Sequence, residues 1–126
     1  MLIWNESRHA LGAPEMDATH REFATLAQEL TRAGSEDFPL LFDVLIDHTR
    51  RHFDNESRLM RSSRFPAIAE HESEHQRVLG DLTRLRTGID EGRVAFARAY
   101  VREGLPEWFN LHLATMDTAL AACLGR

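Results

Sequence analysis

In the second quarter of the chain, Leu41, Val44, Leu45, His48, His52, Glu56 and Leu59 recur at steps of three and four residues. That period marks one face of an α-helix. The stripe changes character along its length, from aliphatic to imidazole and carboxylate. The same period recurs three more times. A first helix is predicted over about 14–33, with Pro14 in its first turn, the stripe His20, Phe23, Ala24, Ala27, Leu30, and Gly34 as its stop. The second helix spans about 37–62 and fades at Ser62 and Ser63. A third, over about 66–87, starts at Pro66 and carries His71, His75, Val78, Leu82 and Leu85, followed by a turn at 87–92. The fourth, over about 93–124, carries Trp108, Phe109, His112, Leu113, Met116 and Leu120. Gly104 and Pro106 interrupt it, so a kink or a late start is expected there. Residues 1–13 hold Trp4 and Gly12 without a sustained period and read as an N-terminal arm, with Trp4 packing on the body.

No stretch alternates as a strand would, and no repeat or low-complexity tract is present. Four helices joined by short connections favour antiparallel neighbours. The expected fold is therefore all-α: one domain over 1–126, an up-down-up-down antiparallel four-helix bundle with an N-terminal arm. In that topology the start of the first helix, the end of the second, the start of the third and the end of the fourth meet at one end. Those are the places that carry His20, then His52 and Glu56, then His71 and His75, then His112 and Asp117. Position and topology alone bring seven potential metal ligands to one depth. Residues four apart on a helix lie one above the other, so His52/Glu56 and His71/His75 can each face a metal without distorting the backbone.

Five imidazoles and two carboxylates exceed what one ion with four to six positions can use, and they suit two. With no thiolate among them, a soft-metal or iron–sulfur site is disfavoured. Imidazole with carboxylate suits iron, manganese, zinc or copper, and a bridged pair points first to iron. The other chemistry-bearing residues read more plainly. His48, one turn before His52, is a core or boundary histidine, and His9 in the arm is solvated. Asp17 favours the N-terminal dipole of the first helix, and Cys123 is a small, partly buried residue near a helix end. Glu72-Ser73-Glu74-His75 contains the Glu-x-x-His of ferritin-like di-iron oxidases. The bundle holds no second copy, and Glu72 points well off the His71/His75 stripe.

Composition narrows the partners. The 126 residues carry a net charge of −5 with both signs interspersed, so neither nucleic acid nor an anionic membrane is an expected partner. No apolar run approaches the length that spans a bilayer, and Met1 to Glu6 does not open like a signal peptide. The single cysteine excludes an internal disulfide and fits a reducing, cytoplasmic location.

The motifs taken together resemble the hemerythrin family in its bacterial single-domain form. Trp4, Gly12 and Met16-Asp17-Ala18-Thr19-His20 resemble its opening motif. His52-Phe53-Asp54-Asn55-Glu56, then Met60 and Phe65-Pro66, resemble its second. His71 and His75 are the third, and Trp108-Phe109-Asn110-Leu111-His112 with Asp117 the fourth. The resemblance implies two non-haem iron ions bridged by an oxo or hydroxo group, with Glu56 and Asp117 bridging as well. His71, His75 and His112 hold one iron, and His20 and His52 hold the other, leaving a position open for dioxygen. It implies reversible dioxygen binding, for storage, delivery or sensing, rather than catalysis. The alternative is a di-iron enzyme on the same scaffold: an oxidase, a peroxidase or a nitric-oxide-handling protein. A third reading, a sensing module, needs a protein partner. Phe23, Phe53, Phe109 and Leu113 are expected to line an apolar dioxygen pocket that excludes water. The chain departs from the family's habit at four places. Phe65 stands where tyrosine is frequent, Arg64 where glycine is usual, and Gly104 and Pro106 where ordinary helix formers are usual.

Overall fold

Pro14 sits in the first turn of a helix that runs to Arg32 and begins the bundle. The computed structural model describes residues 2–125. A short helix, α1 (Glu6–His9), lies within the arm, capped by the Asn5 side chain, which accepts the backbone N–H groups of Ser7 and Arg8. Then come α2 (Pro14–Arg32), α3 (Phe38–Ser62) and α4 (Ile68–Asp90). The fourth leg is made of α5 (Val94–Ala99), a π-helical turn at Tyr100–Gly104, α6 (Leu105–His112), a second π-helical turn at Leu113–Asp117, and α7 (Thr118–Leu124). Among the described residues there is no strand. α2 packs on α3, α3 on α4, and α4 on α5, while the first π turn returns to α2 and closes the ring of an antiparallel four-helix bundle.

Two helix ends explain where α3 and α4 stop. At the end of α3, Phe65 N–H bonds to the Met60 carbonyl (2.9 Å) and Arg64 N–H to that of Arg61 (3.2 Å). This is a Schellman motif, and the apolar Phe65–Met60 contact that accompanies it sits in a buried cluster. It forces Arg64 to φ 55°, in the left-handed region that favours glycine. α4 ends in the same motif, with Arg93 N–H on the Gly88 carbonyl (2.7 Å) and Gly92 N–H on that of Ile89 (3.1 Å). Here Gly92 takes the left-handed position at φ 87°. The turn expected at 87–92 is thus confined to its last residues, because Gly92 rather than Gly88 fits the stop. At the other end, Pro66 precedes α4 instead of opening it.

The fourth leg neither kinks sharply nor starts late. The residues at its internal junctions keep helical dihedrals: Tyr100 at φ −62°, ψ −47° and Leu105 at φ −65°, ψ −46°. Pro106 lacks the N–H that an α-helix would need and would crowd the carbonyl four residues back. A widened turn immediately before it absorbs that conflict. Gly104 is required for a separate reason. A Cβ there would lie 2.9 Å from Cδ1 of Tyr100, whose ring covers the glycine.

The apolar core falls into two parts along the bundle axis. The larger, with Leu30, Phe38, Phe42, Leu45, Leu82 and Leu105 fully buried, fills the end where α2 stops and α3 starts. A smaller cluster of Met16, Met60, Phe65 and Leu120 closes the opposite end. Burying each such side chain contributes about 1.5–3 kcal/mol. Between the two parts lies a layer of buried polar groups.

Candidate metal centre

That polar layer consists of His20 from α2, His52 and Glu56 from α3, His71 and His75 from α4, and His112 and Asp117 from the fourth leg, all buried. The i,i+4 pairs on α3 and α4 project inward as ordinary helical geometry demands. His112 and Asp117 are five apart, and on an α-helix that spacing places them roughly 140° around the axis from each other. The π turn at Leu113–Asp117 removes the discrepancy by widening one turn. The Leu113 carbonyl accepts from both Thr118 N–H and Thr118 Oγ (2.8 Å). Here the α-helical wheel fails, and it is the π turn that carries Asp117 to the centre.

The seven groups are arranged around their carboxylates. Glu56 Oε1 lies 3.2 Å from His71 Nε2 and 3.3 Å from His75 Nε2. Glu56 Oε2 lies 2.5 Å from His52 Nε2 and 3.4 Å from His20 Nε2. Asp117 Oδ1 is 3.1 Å from His71 Nε2 and 3.2 Å from His112 Nε2, while Oδ2 is 3.3 Å from His20 Nε2. Glu56 therefore turns one oxygen toward His71 and His75 and the other toward His52 and His20, while Asp117 turns one toward His71 and His112 and the other toward His20, so the two carboxylates together separate His71, His75 and His112 from His20 and His52. Ligand atoms held at about 2.1 Å on adjacent vertices of an octahedron stand about 3 Å apart. Most of these separations are close to that figure.

The donors are also orphaned. Nε2 of His20, His71, His75 and His112, with Oε1 of Glu56 and Oδ1 of Asp117, are buried and find no partner beyond the long, poorly aligned contacts among themselves. Buried polar atoms left this way are costly unless something else satisfies them. Two subsets lie close enough to share an ion: Glu56, His71, His75, His112 and Asp117, and separately His20, His52 and Glu56. The residues fit a pair of metal ions.

Burial and charge act in opposite directions here. Burial works against the imidazolium forms of His20 and His71, but hydrogen bonds to Asp117 and Glu56, and their charges, outweigh it and push both groups up to about 9. Burial also works against the Glu56 carboxylate, yet the charge of His52 and hydrogen bonds from the imidazoles hold it well below the usual range. Asp117 is depressed too: hydrogen bonds from His112, His20 and His71 overcome burial and the repulsion of Glu56. The anions thus stay ionised, and protons on imidazole balance them where no metal does.

The imidazole rings are oriented chiefly by aromatic contacts, since their Nδ1 atoms have no hydrogen-bond partner. Phe53 lies flat on His75 at 3.7 Å, and also 5.5 Å from His52. Trp108 stacks on His112 at 4.8 Å and donates its indole N–H to Glu74 (3.0 Å). Phe109 meets His20 edge-on at 5.8 Å and stacks on Phe23 at 5.4 Å. Leu113 is buried in the main core. Phe23 and Phe109 thus border the two-imidazole side, and Phe53 faces both sides.

Of the other residues singled out by sequence, His48 is at the boundary. Its Nε2 stands 3.2 Å from Glu22, its ring meets that of His52 edge-on, and burial lowers it below its usual value. Glu72 pairs with Arg61 on the surface, away from the centre. Asp17 accepts Leu11 N–H (2.8 Å) and Gly12 N–H (3.2 Å), so it pins the arm as well as standing in the first turn of α2. His9 corrects the expectation of a solvated residue: it is only 4% exposed and bonds to Asn110. The period of the main helices could not reveal it, because α1 is a single turn.

Comparison with known proteins agrees with this geometry. Residues 11–124 match the Hemerythrin HHE cation binding domain. The chain is 36% identical to a bacteriohemerythrin of Ralstonia nicotianae over all 126 residues, covering 90% of that protein. It is 29% identical over 119 residues to myohemerythrin-1 of Phascolopsis gouldii, covering 91% of this chain and 87% of that one. The crystal structure of a wild-type hemerythrin superposes with a TM-score of 0.87 at 20% identity, covering 100% of this chain and 99% of the other, a likeness of fold. The family match over most of the chain and the full-length bacterial relative lead to one conclusion: the chain belongs to the hemerythrin family.

Proposed function

We propose that this protein binds dioxygen reversibly at a pair of non-haem iron ions and that residues 1–126 act as one hemerythrin-like domain. His71, His75 and His112 hold one ion, His20 and His52 the other, and Glu56 and Asp117 are shared between them. Bound there as a ferrous pair, the ions would supply the two electrons that reversible binding of dioxygen draws on. The observation that carries the reading is that Glu56 and Asp117 each divide their oxygens between two sets, His71, His75 and His112 on one side and His20 and His52 on the other. An ion held by the two-imidazole set would have room for an external ligand, and one held by the three-imidazole set would have less.

The chain's own residues do the rest. Phe23 and Phe109 present apolar surface beside His20, which keeps water and protons from the two-imidazole side. Phe53 and Trp108 hold the rings of His75 and His112 flat and fix the direction of their Nε2 lone pairs. Five neutral donors against two carboxylates provide little anionic donation, which favours reversible binding over oxidative chemistry. Net charge of −5 supports a protein without a nucleic-acid partner. Among the described residues no helix is long and apolar enough to cross a membrane. We place the protein in the cytoplasm on its single cysteine. A sensing role would add a protein partner.

The test is a visible spectrum of the reduced, iron-loaded protein kept anaerobic, then exposed to air, then deoxygenated. Absorption that appears with dioxygen, vanishes on its removal and returns on readmission is the expected result. Irreversible oxidation on first exposure overturns the carrier reading and favours the enzymatic one.

A further inference from the structure

Both ring nitrogens of His9 are engaged, although the residue belongs to a single-turn helix in the arm. Nδ1 accepts Asn5 N–H at 2.9 Å, so the ring proton is on Nε2, which donates to Asn110 Oδ1 at 2.8 Å. That bond joins residues 101 positions apart, and it lands on the neighbour of Phe109. The His9 ring also meets Phe109 edge-on at 5.6 Å and Trp4 at 5.3 Å. Phe109 in turn meets His20. The arm is thereby laid across the aromatic layer that borders the two-imidazole side. Asp17 fixes it on the far flank through Leu11 and Gly12, and Leu2 seats its beginning in the core.

We propose that the His9–Asn110 hydrogen bond latches the arm as a lid over the His20/His52 side of the metal centre, and that opening of this lid sets how fast water and small anions reach that side. The inference rests on the metal reading above. His9 is a positioning residue: it touches no ligand and acts through Phe109 and the arm. Segments held by few contacts open locally far more often than a bundle core does. Removing a half-buried hydrogen bond that spans two elements raises the open population about tenfold.

His9→Phe fills the same space and keeps aromatic contact with Phe109 but removes both hydrogen bonds. His9→Gln retains a side-chain N–H to offer Asn110. Two readouts apply. Hydrogen–deuterium exchange at the amides of residues 9–12, in the metal-free and the metal-loaded protein, reports the latch itself. The rate of azide uptake by the oxidised, iron-loaded protein, followed by absorbance, reports access. In His9→Phe, arm exchange rises at least tenfold relative to α3 and α4, and azide uptake accelerates at least fivefold with two iron ions per chain retained. His9→Gln restores both rates to within about twofold of wild type. Should His9→Phe fail to fold, Asn110→Ala cuts the same bond from the other side and must give the same two increases. Wild-type arm amides that exchange as fast as a free peptide overturn the latch. Faster arm exchange with unchanged azide uptake and two irons retained overturns the lid alone. A wild-type protein that takes up no pair of metal ions refutes the metal reading and the lid's role with it.

Discussion

Glu56→Gln tests whether one carboxylate serves two ions. The substitution preserves shape and volume but replaces one carboxylate oxygen by an amide nitrogen and removes the charge. Glu56 Oε1 serves His71 and His75 within 3.3 Å, while Oε2 serves His52 and His20 within 3.4 Å. A glutamine can turn its carbonyl oxygen toward only one of these sets, and the other receives an N–H donor that cannot bind a cation. Losing one partner of a buried charge pair costs about 3–5 kcal/mol. Applied to one ion, this weakens its binding by about two to three and a half orders of magnitude, with a much smaller effect on the other. The assay is anaerobic calorimetric titration with Fe(II), followed by metal analysis after dialysis. Wild type should hold two ions per chain and the variant one tightly bound ion. Glu72→Gln, whose carboxylate pairs with Arg61 at the surface, is the control and should leave stoichiometry unchanged. Two ions bound by Glu56→Gln with wild-type affinity would refute the sharing of that carboxylate.

Three other outcomes follow from the same structure. Arg64→Gly releases a left-handed strain of about 1–2 kcal/mol at the end of α3 against a loss of about 0.5–1 kcal/mol in chain entropy, a net gain of up to about 1.5 kcal/mol, so Tm should rise by up to about 6 °C, and a lower Tm contradicts the assignment. Gly104→Ala sets a helix-propensity gain of about 1 kcal/mol against about 1–3 kcal/mol of crowding on Tyr100, for a net loss of up to about 2 kcal/mol. In a Tyr100→Leu background the same change should stabilise, and denaturant titrations of the four proteins decide the sign. For the metal-free protein, His20 and His71 at about 9 stand above their unfolded value, so their contribution is complete below about pH 6.5 and disappears as pH rises through 9. Glu56 and Asp117 are depressed, and their contribution disappears as pH falls below about 4. Burial lowers His48 and His75, so their contribution disappears as pH falls below about 6.5. Tm should therefore peak near pH 6.5, whereas apparent metal affinity should climb toward pH 9 as binding displaces the protons on His20 and His71. A flat Tm from pH 6.5 to 9 would contradict the raised imidazoles.

The convergence of the seven polar groups was legible because it depends on two robust signals. Helical period places His52 with Glu56 and His71 with His75, and antiparallel topology brings the correct ends of four helices to one level. The N-terminal arm was recognisable as a segment but not as a working part. A single turn such as α1 has no period to detect, and the bond from His9 to Asn110 links positions that only the finished bundle brings together. The π turns escaped for a different reason. Pro106 and Gly104 announced an interruption, and a kink is the commoner response to proline, yet here a wider turn accommodates it. Arg64 by its own residue type argues against left-handed geometry, and the one hint of it was the glycine usual at that place in the family. What imposes that geometry is the Schellman pairing with Met60 and the burial of Phe65.

The placement of the polar layer also explains how the chain tolerates it. Burying five imidazoles and two carboxylates in the middle of a small bundle is costly, and the cost is met only when protons or metal ions balance the two anions. The apolar clusters above and below do not depend on that balance. Leu30, Phe38, Phe42, Leu45, Leu82 and Leu105 cover one side of the layer, and Met16, Met60, Phe65 and Leu120 cover the other. They hold the four helices in register while the layer exchanges protons for metal. The π turn at Leu113–Asp117 fits the same division of labour. It lies between the two clusters, so the extra residue brings Asp117 inward without shifting Leu105 out of the first cluster or Leu120 out of the second. A helix of uniform α geometry could keep both apolar contacts or present both His112 and Asp117. One widened turn does both.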